Sequence, residues 1–181
     1  SPGLGAFDLT RDLGPQVEIA ISALTQGLSQ AVQIEAGDFD THTNNSEQNN
    51  LHESFFAGLH TLMERLATTP GSTDGSKLLD ETMVVVVSEL GRTPKLNNDG
   101  GKDHWGTTSA MVLGAGVKGG QVVGATNDGL EGRLVNLATG VPDEGGQPLN
   151  YGAFAAGVLG LAGVDPSELL PRETPLGGLS V

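Results

Sequence analysis

Residues 78–116 read LLDETMVVVVSELGRTPKLNNDGGKDHWGTTSAMVLGAG, and the fold class turns on two apolar runs within them. Met83–Ser88 (MVVVVS) is an uninterrupted β-branched run between polar flanks. Such a run suits a strand buried on both faces, as in a parallel sheet covered by helices. Ala110–Leu113 reads as a second buried strand. Between them, GRTPKLNNDGGKDHWG is too rich in Gly, Asn, Asp and Pro to be regular structure.

Upstream of these runs, Thr69–Lys77 (TPGSTDGSK) is a Pro/Gly/Ser-rich loop. Before it, Leu51, Phe55, Leu59, Leu62, Met63 and Leu66 recur at spacings of three and four. That spacing predicts an amphipathic helix over Glu47–Leu66, with Ser46 as N-cap. Val32 and Ile34 alternate with Gln33 and Glu35 before Gly37, the pattern of a short strand ending in a loop. From Pro15, the residues Val17, Ile21, Leu24 and Leu28 predict a further helix. Downstream of Gly116, Gly pairs and Asn/Asp turns punctuate the chain, with short strand candidates at Gln121–Val123 and Arg133–Val135. Tyr151–Ala162 reads as an apolar helix stopped near Gly163 and Pro166. Strand, helix, strand, long loop, strand is the order of an α/β domain.

The chain has 181 residues, enough for a single domain spanning 1–181 with its own core. Lys and Arg number 9 against 22 Asp and Glu, for a net charge of −13. A chain this acidic repels a phosphate backbone and an anionic bilayer, which argues against nucleic-acid binding and a basic membrane patch. Charged residues are only 17% of the total and the apolar runs are dense, which argues against disorder. Gly, at 28 residues, is well above its usual share of roughly 7%, so tight turns and close backbone approaches are expected. With no Cys, disulfides, thiolate metal sites and a Cys nucleophile are excluded. No apolar stretch of about 18 residues and no charged-then-apolar leader is present, so no membrane span or signal peptide is expected. The chain begins at Ser1 without Met, as a mature or truncated product would.

Three polar clusters can carry chemistry, and each follows a predicted strand. Asp38-Phe39-Asp40-Thr41-His42 places two carboxylates and an imidazole within five residues, a ligand set suited to Zn²⁺, Mn²⁺ or Mg²⁺. The same residues also suit an Asx-type turn with an exposed His. Asp103-His104 lies in GGKDHWG, where Gly100, Gly101 and Gly106 permit a bend around a site. The alternative is a structural His104 stacked beside Trp105. Glu89 and Arg92, in ELGRTP, could serve as a metal or hydroxyl ligand and an oxyanion clamp, or simply pair with each other. In a parallel sheet the three ends would converge on one edge. His52 and His60, on the long helix, read as structural or solvated. Asp128, Glu131, Asp143 and Glu144 lie among turn residues and are assigned no chemistry. A G-x-S-x-G elbow, a P-loop and a dinucleotide fingerprint are all missing, which sets aside the serine hydrolase, NTPase and Rossmann readings.

The order GDFDTH, long helix, then E-x-GRTP, GG-x-DHW and GGQV-x-GAT resembles the carboxyl-terminal part of the DUF1501 proteins. These form a bacterial family related to the alkaline phosphatase and sulfatase superfamily, and the likeness spans roughly residues 30–165. The resemblance implies a three-layer α/β/α sandwich with a mainly parallel sheet and a metal site at the strand carboxyl ends. It implies that Asp103 and His104 ligate one metal and that Asp40 and His42, in the DTH motif, ligate a second. Asp38 stands where the family usually has Gly, and its spacing from His42 resembles the superfamily's Asp-x-x-x-His, which makes it a weaker ligand candidate. The superfamily's first metal Asp and its Ser/Thr nucleophile position have no counterpart in this sequence. Asp8 and Thr10 lie near the start, but their context does not match. The chain is then either a fragment of a longer architecture or a shortened relative that binds without turnover.

The activity implied is hydrolysis of phosphate or sulfate monoesters, with divalent cations (Zn, Mn, Mg or Ca) and with Arg92 and Glu89 as catalytic residues. Its substrate would be a small anionic ester. The competing expectation is a non-catalytic exported binding or structural module, favoured by the missing nucleophile, the Gly content and the charge. Export to the periplasm or the extracellular space is implied by the resemblance. A chain carrying part of a sheet can pair its edges with another copy, so a homo-oligomer is also expected.

Overall fold

The computed structural model describes residues 13–180, so Asp8 and Thr10 lie outside the described residues. The element order is α1 (Leu13–Thr25), α2 (Glu47–Thr68), a 3-10 turn (Leu78–Asp80), β1 (Met83–Val86), β2 (Gly91–Arg92), β3 (His104–Trp105), β4 (Met111–Gly114), β5 (Leu134–Asn136), β6 (Val141–Pro142), β7 (Gln147–Pro148), α3 (Tyr151–Leu161) and α4 (Pro166–Leu169). These divide into two units. The first comprises residues 13–82 with Lys95–Asp103, and the second Met83–Pro94 with residues 104–180.

In the first unit α1 packs on α2. The apolar spacing of both helices has its expected consequence: Val17, Ala20 and Ile21 of α1 and Leu66 of α2 are buried. Gly58 makes the close approach possible, because a Cβ there would stand 2.5 Å from a Leu13 methyl. A two-point ion pair ties the same helices, with Arg65 Nε and Nη2 each donating to a Glu18 carboxylate oxygen at 2.8 Å. This pairing holds the Glu18 carboxyl below its ordinary range. Ser46 does not act as a side-chain cap for α2. Its hydroxyl donates to Asn44 Oδ1 at 2.6 Å, while Asn44 Nδ2 donates to Glu47 Oε1 at 2.9 Å.

Val32 and Ile34 do not lie in a strand. The nearby Glu35 backbone is paired by a side chain instead: Gln16 Nε2 donates to its carbonyl at 2.8 Å, and its N–H donates to Gln16 Oε1 at 3.0 Å. A helix side chain thus occupies the place of a neighbouring strand. Beyond α2, the loop 69–77 folds around Glu81. That carboxylate accepts from Ser72 N at 2.8 and 2.9 Å, from Ser76 Oγ at 2.6 Å and from Thr73 N at 3.4 Å.

Among the described residues every strand lies in the second unit, and its sheets overturn the expected α/β/α sandwich with a mainly parallel sheet. β1 pairs with β4 antiparallel, Met83 opposite Gly114 and Val86 opposite Met111. β2 pairs antiparallel with β3, and β6, β5 and β7 form a small antiparallel sheet in that order. Parallel neighbours need a crossover, normally helical, to return the chain to the same end. The connection 87–110 contains no helix and is occupied by β2 and β3, so β4 returns antiparallel to β1. Nor is the MVVVVS run buried on both faces, for Val85 in β1 is 36% exposed and Val87 just after it 46%. The core lies elsewhere, around Val135, Leu137, Ala153, Leu176 and Leu179, with Val123, Leu149, Phe154 and Leu161 packed against it. α3 begins where expected, capped by Asn150 Oδ1 accepting from Ala153 N at 2.7 Å. Gln121–Val123 is not a strand, whereas the Arg133–Val135 candidate appears as β5, shifted by one residue. Among the described residues, no helix is long and apolar enough to cross a membrane.

The Ser76 hydroxyl, followed by the Ser72 and Thr73 N–H groups, lowers the Glu81 pKa from 4.5 to about 2. A folded-state pKa below the unfolded value stabilises the fold above the unfolded pKa, and that contribution fades as pH falls through the folded one. Thermal midpoints measured between pH 6 and pH 2 should fall through this window in the parent chain. In Glu81→Gln the decline should be shallower and should start from a lower midpoint at pH 6.

Candidate functional site

The Asp38-Phe39-Asp40 stretch is oriented by its central residue. The Phe39 ring lies 5.1 Å from His52 and 6.3 Å from Phe55, both on α2, while Asp38 and Asp40 on either side are exposed. Gln48, in the first turn of α2, donates through Nε2 to the Phe39 carbonyl and to Thr41 Oγ1, each at 2.9 Å. Thr41 is buried, at 7% exposure. Asp38 adopts the left-handed region at φ 70°, which Asp tolerates better than most residues. His52 therefore has the structural role expected of it, and His60 lies at the surface 3.5 Å from Glu64.

Two tight turns follow, with Thr41 N donating to Phe39 O at 3.0 Å and His42 N to Asp40 O at 3.1 Å. They bring His42 Nδ1 to 3.3 Å from Asp40 Oδ1, both side chains about half exposed. Asp38, Asp40, His42, Glu47 and Asn50 border one open depression of about 650 Å³.

The loop Lys95–Asp103 closes on this segment within the same unit. Thr43 and Gly100 form an antiparallel bridge, Asn45 N donates to Gly100 O at 2.9 Å, and Lys102 N donates to Thr41 O at 3.2 Å. Gly101 permits the approach, since a Cβ there would stand 2.0 Å from the His42 carbonyl carbon and oxygen. Asn97 joins the two segments. Its Nδ2 donates to His42 O at 2.9 Å and to Asp103 Oδ1 at 3.0 Å. Its Oδ1 accepts from Asp99 N and Gly101 N, each at 3.0 Å.

Asp103 and His104, although consecutive, have different partners. Asp103 is held by Asn97, and His104 opens β3, directly opposite Arg92 on β2. The β2–β3 pairing brings Arg92 and His104 into cross-strand register, although they belong to different sequence clusters. Gly91 allows that pairing, because a Cβ there would meet the Thr107 carbonyl oxygen at 1.8 Å. Trp105, next to His104, donates its indole N–H to Leu130 O at 2.8 Å. Glu89 is exposed in the irregular segment after β1.

The motifs that form these contacts, GDFDTH, ELGRTP and GGKDHW, lie inside a family match that covers residues 14–173, to the family described as a protein of unknown function (DUF1501). The chain belongs to the DUF1501 family. No curated protein and no solved structure matches it.

In this DUF1501 chain the residue that joins the DTH motif to Asp103 is one that motif reading passed over. Asn97 sits in KLNNDGG, which reads as loop and nothing more. The signal that could have found it is the Asx-turn pattern, an Asn side chain accepting from the backbone N–H two residues on. Gln48 was similarly hidden, as one polar residue among several at the start of α2.

The close approach at Gly101 gives a paired prediction. Gly101→Ala should destabilise the chain by about 1–3 kcal/mol in urea denaturation, because its Cβ meets backbone that cannot rotate away. Gly106→Ala, with open space around its Cβ, should be neutral or stabilising by up to about 1 kcal/mol.

Proposed function

We propose that this DUF1501 chain binds a divalent cation through Asp40 and His42, with the Asp103 carboxylate held nearby by Asn97. The observation that carries the reading is the 3.3 Å separation of Asp40 Oδ1 and His42 Nδ1. A charge-assisted hydrogen bond between such groups is shorter, about 2.7–2.9 Å. Two ligand atoms at about 2.1 Å from a tetrahedral Zn²⁺ stand about 3.4 Å apart. The pair therefore has the spacing of a ligand edge. One hard oxygen and one imidazole nitrogen favour Zn²⁺ or Mn²⁺ over Ca²⁺, which takes oxygen ligands. Both side chains are exposed, so an ion can reach them without the fold opening.

For the complete protein we propose hydrolysis of phosphate or sulfate monoesters, in a periplasmic or extracellular setting. This rests on the resemblance of its motifs to the alkaline phosphatase and sulfatase superfamily. A cation bound there would act as a Lewis acid on an ester oxygen. Arg92 offers a planar fork of donors for the anionic group. His104, which the resemblance pairs with Asp103 as a ligand, stands opposite Arg92 in β3.

Elemental analysis by inductively coupled plasma mass spectrometry tests the cation reading. After equilibration with Zn²⁺ and gel filtration, the parent chain should retain stoichiometric metal, and Asp40→Asn and His42→Ala should retain little. Trace metal in all three would overturn it, and His104→Ala measured in parallel reports whether that residue contributes. Turnover of an aryl phosphate or aryl sulfate, abolished by chelator and by His42→Ala, would support the hydrolase. Stoichiometric metal without turnover would instead favour a binding module.

A further inference from the structure

The Asn97 side-chain amide has four hydrogen-bonding positions, two N–H donors and two acceptor lone pairs. All four are used. Both donors go to groups that flank the candidate cation site, to the His42 carbonyl at 2.9 Å and to Asp103 Oδ1 at 3.0 Å. Both acceptor positions take backbone N–H groups of its own loop, from Asp99 and Gly101 at 3.0 Å. The amide can point only one way. Turned over, it would set its oxygen against two acceptors and its nitrogen against two donors.

We infer that Asn97 is a positioning residue of the cation site, a reading that rests on Asp40 and His42 being ligands. One of its faces shapes the loop, and the other fixes the His42 backbone and one oxygen of Asp103. With Oδ1 engaged, Asp103 keeps its second oxygen in a set direction. With its carbonyl held, His42 presents its ring from an anchored backbone. Groups that orient ligands in this way sharpen metal affinity without touching the ion. No ionised side chain would serve in this position: a carboxylate lacks the donors, and an ammonium lacks the acceptors.

The informative variant is Asn97→Asp, which keeps acceptor oxygens for Asp99 N and Gly101 N while removing both donors to the site. The full chain is titrated with Co²⁺, a spectroscopically visible substitute for Zn²⁺, and visible absorption and thermal midpoint are followed together. The expected result for Asn97→Asp is Co²⁺ binding weaker by about 10-fold or more, with an altered visible spectrum. A role confined to shaping the loop predicts no weakening, because the acceptors remain and the added negative charge by itself draws a cation in. Binding as tight as the parent's, or tighter, overturns the inference.

A second measurement on the parent chain covers the case in which Asn97→Asp fails to fold. The Asn97 side-chain NH₂ signals, followed by ¹⁵N–¹H correlation spectroscopy, should shift when Zn²⁺ is added, and signals that stay in place overturn the inference. If the parent takes up no Co²⁺, the assignment of Asp40 and His42 falls and this inference with it. If the parent binds and Asn97→Asp matches it, only the role of Asn97 falls.

Discussion

Two irregular backbone segments, 41–45 and 97–103, meet at Gly101, and that junction anchors the His42 backbone beside the loop that carries Asp103. Gly101 lies against the His42 carbonyl with no room for a methyl group. Across this contact run the Thr43–Gly100 bridge, the Lys102 N to Thr41 O bond and the Asn97 amide. Neither segment has a neighbour of its own kind along a regular helix or strand. Each meets part of its backbone hydrogen bonding on the other and part in its own tight turns. The junction spans 55 residues of chain between His42 and Asn97. It brings the His42 backbone and the Asp103 carboxylate to one side-chain amide.

The rest of the first unit supports that junction from below. α2 supplies the aromatic seat for Phe39 and the Gln48 amide that holds the Phe39 carbonyl. α1 braces α2 through Leu13 over Gly58 and through the two-point Arg65–Glu18 pair. Because Glu18 and Arg65 are solvent-exposed, their pairing orients the helices more than it stabilises them. Apolar burial contributes more, with Leu66 of α2 and Val17 of α1 fully buried. In the second unit the β2–β3 pairing has the corresponding role for Arg92 and His104.

The helices were legible because a 3.6-residue repeat of apolar positions is a local property. Leu51, Phe55, Leu59, Leu62, Met63 and Leu66 announce α2, and each is at least partly buried. The extended runs were legible only as extended. MVVVVS and AMVL do become β1 and β4, but a run of Val does not state which strand it will meet or in which direction. The expectation of a parallel sheet treated apolar density as burial on both faces, and exposed Val85 and Val87 show that this density is left partly uncovered among the described residues. The Val32–Ile34 alternation failed for a related reason, since the nearby backbone found the Gln16 amide in place of a strand.

Local chemistry in the chain was enough to specify the three main helices, the two apolar strands, the turn-rich connections and the identity of the Asp, His and Arg residues able to carry chemistry. These depend on side-chain periodicity, backbone preference and ionisable group type, all of which act over a few residues. The antiparallel return of β4 to β1, the pairing of Arg92 with His104 and the Asn97 amide between His42 and Asp103 emerged only on folding. Each depends on a partner distant in the chain, and the choice among partners is made by close backbone packing and by the requirement that every buried donor and acceptor be satisfied.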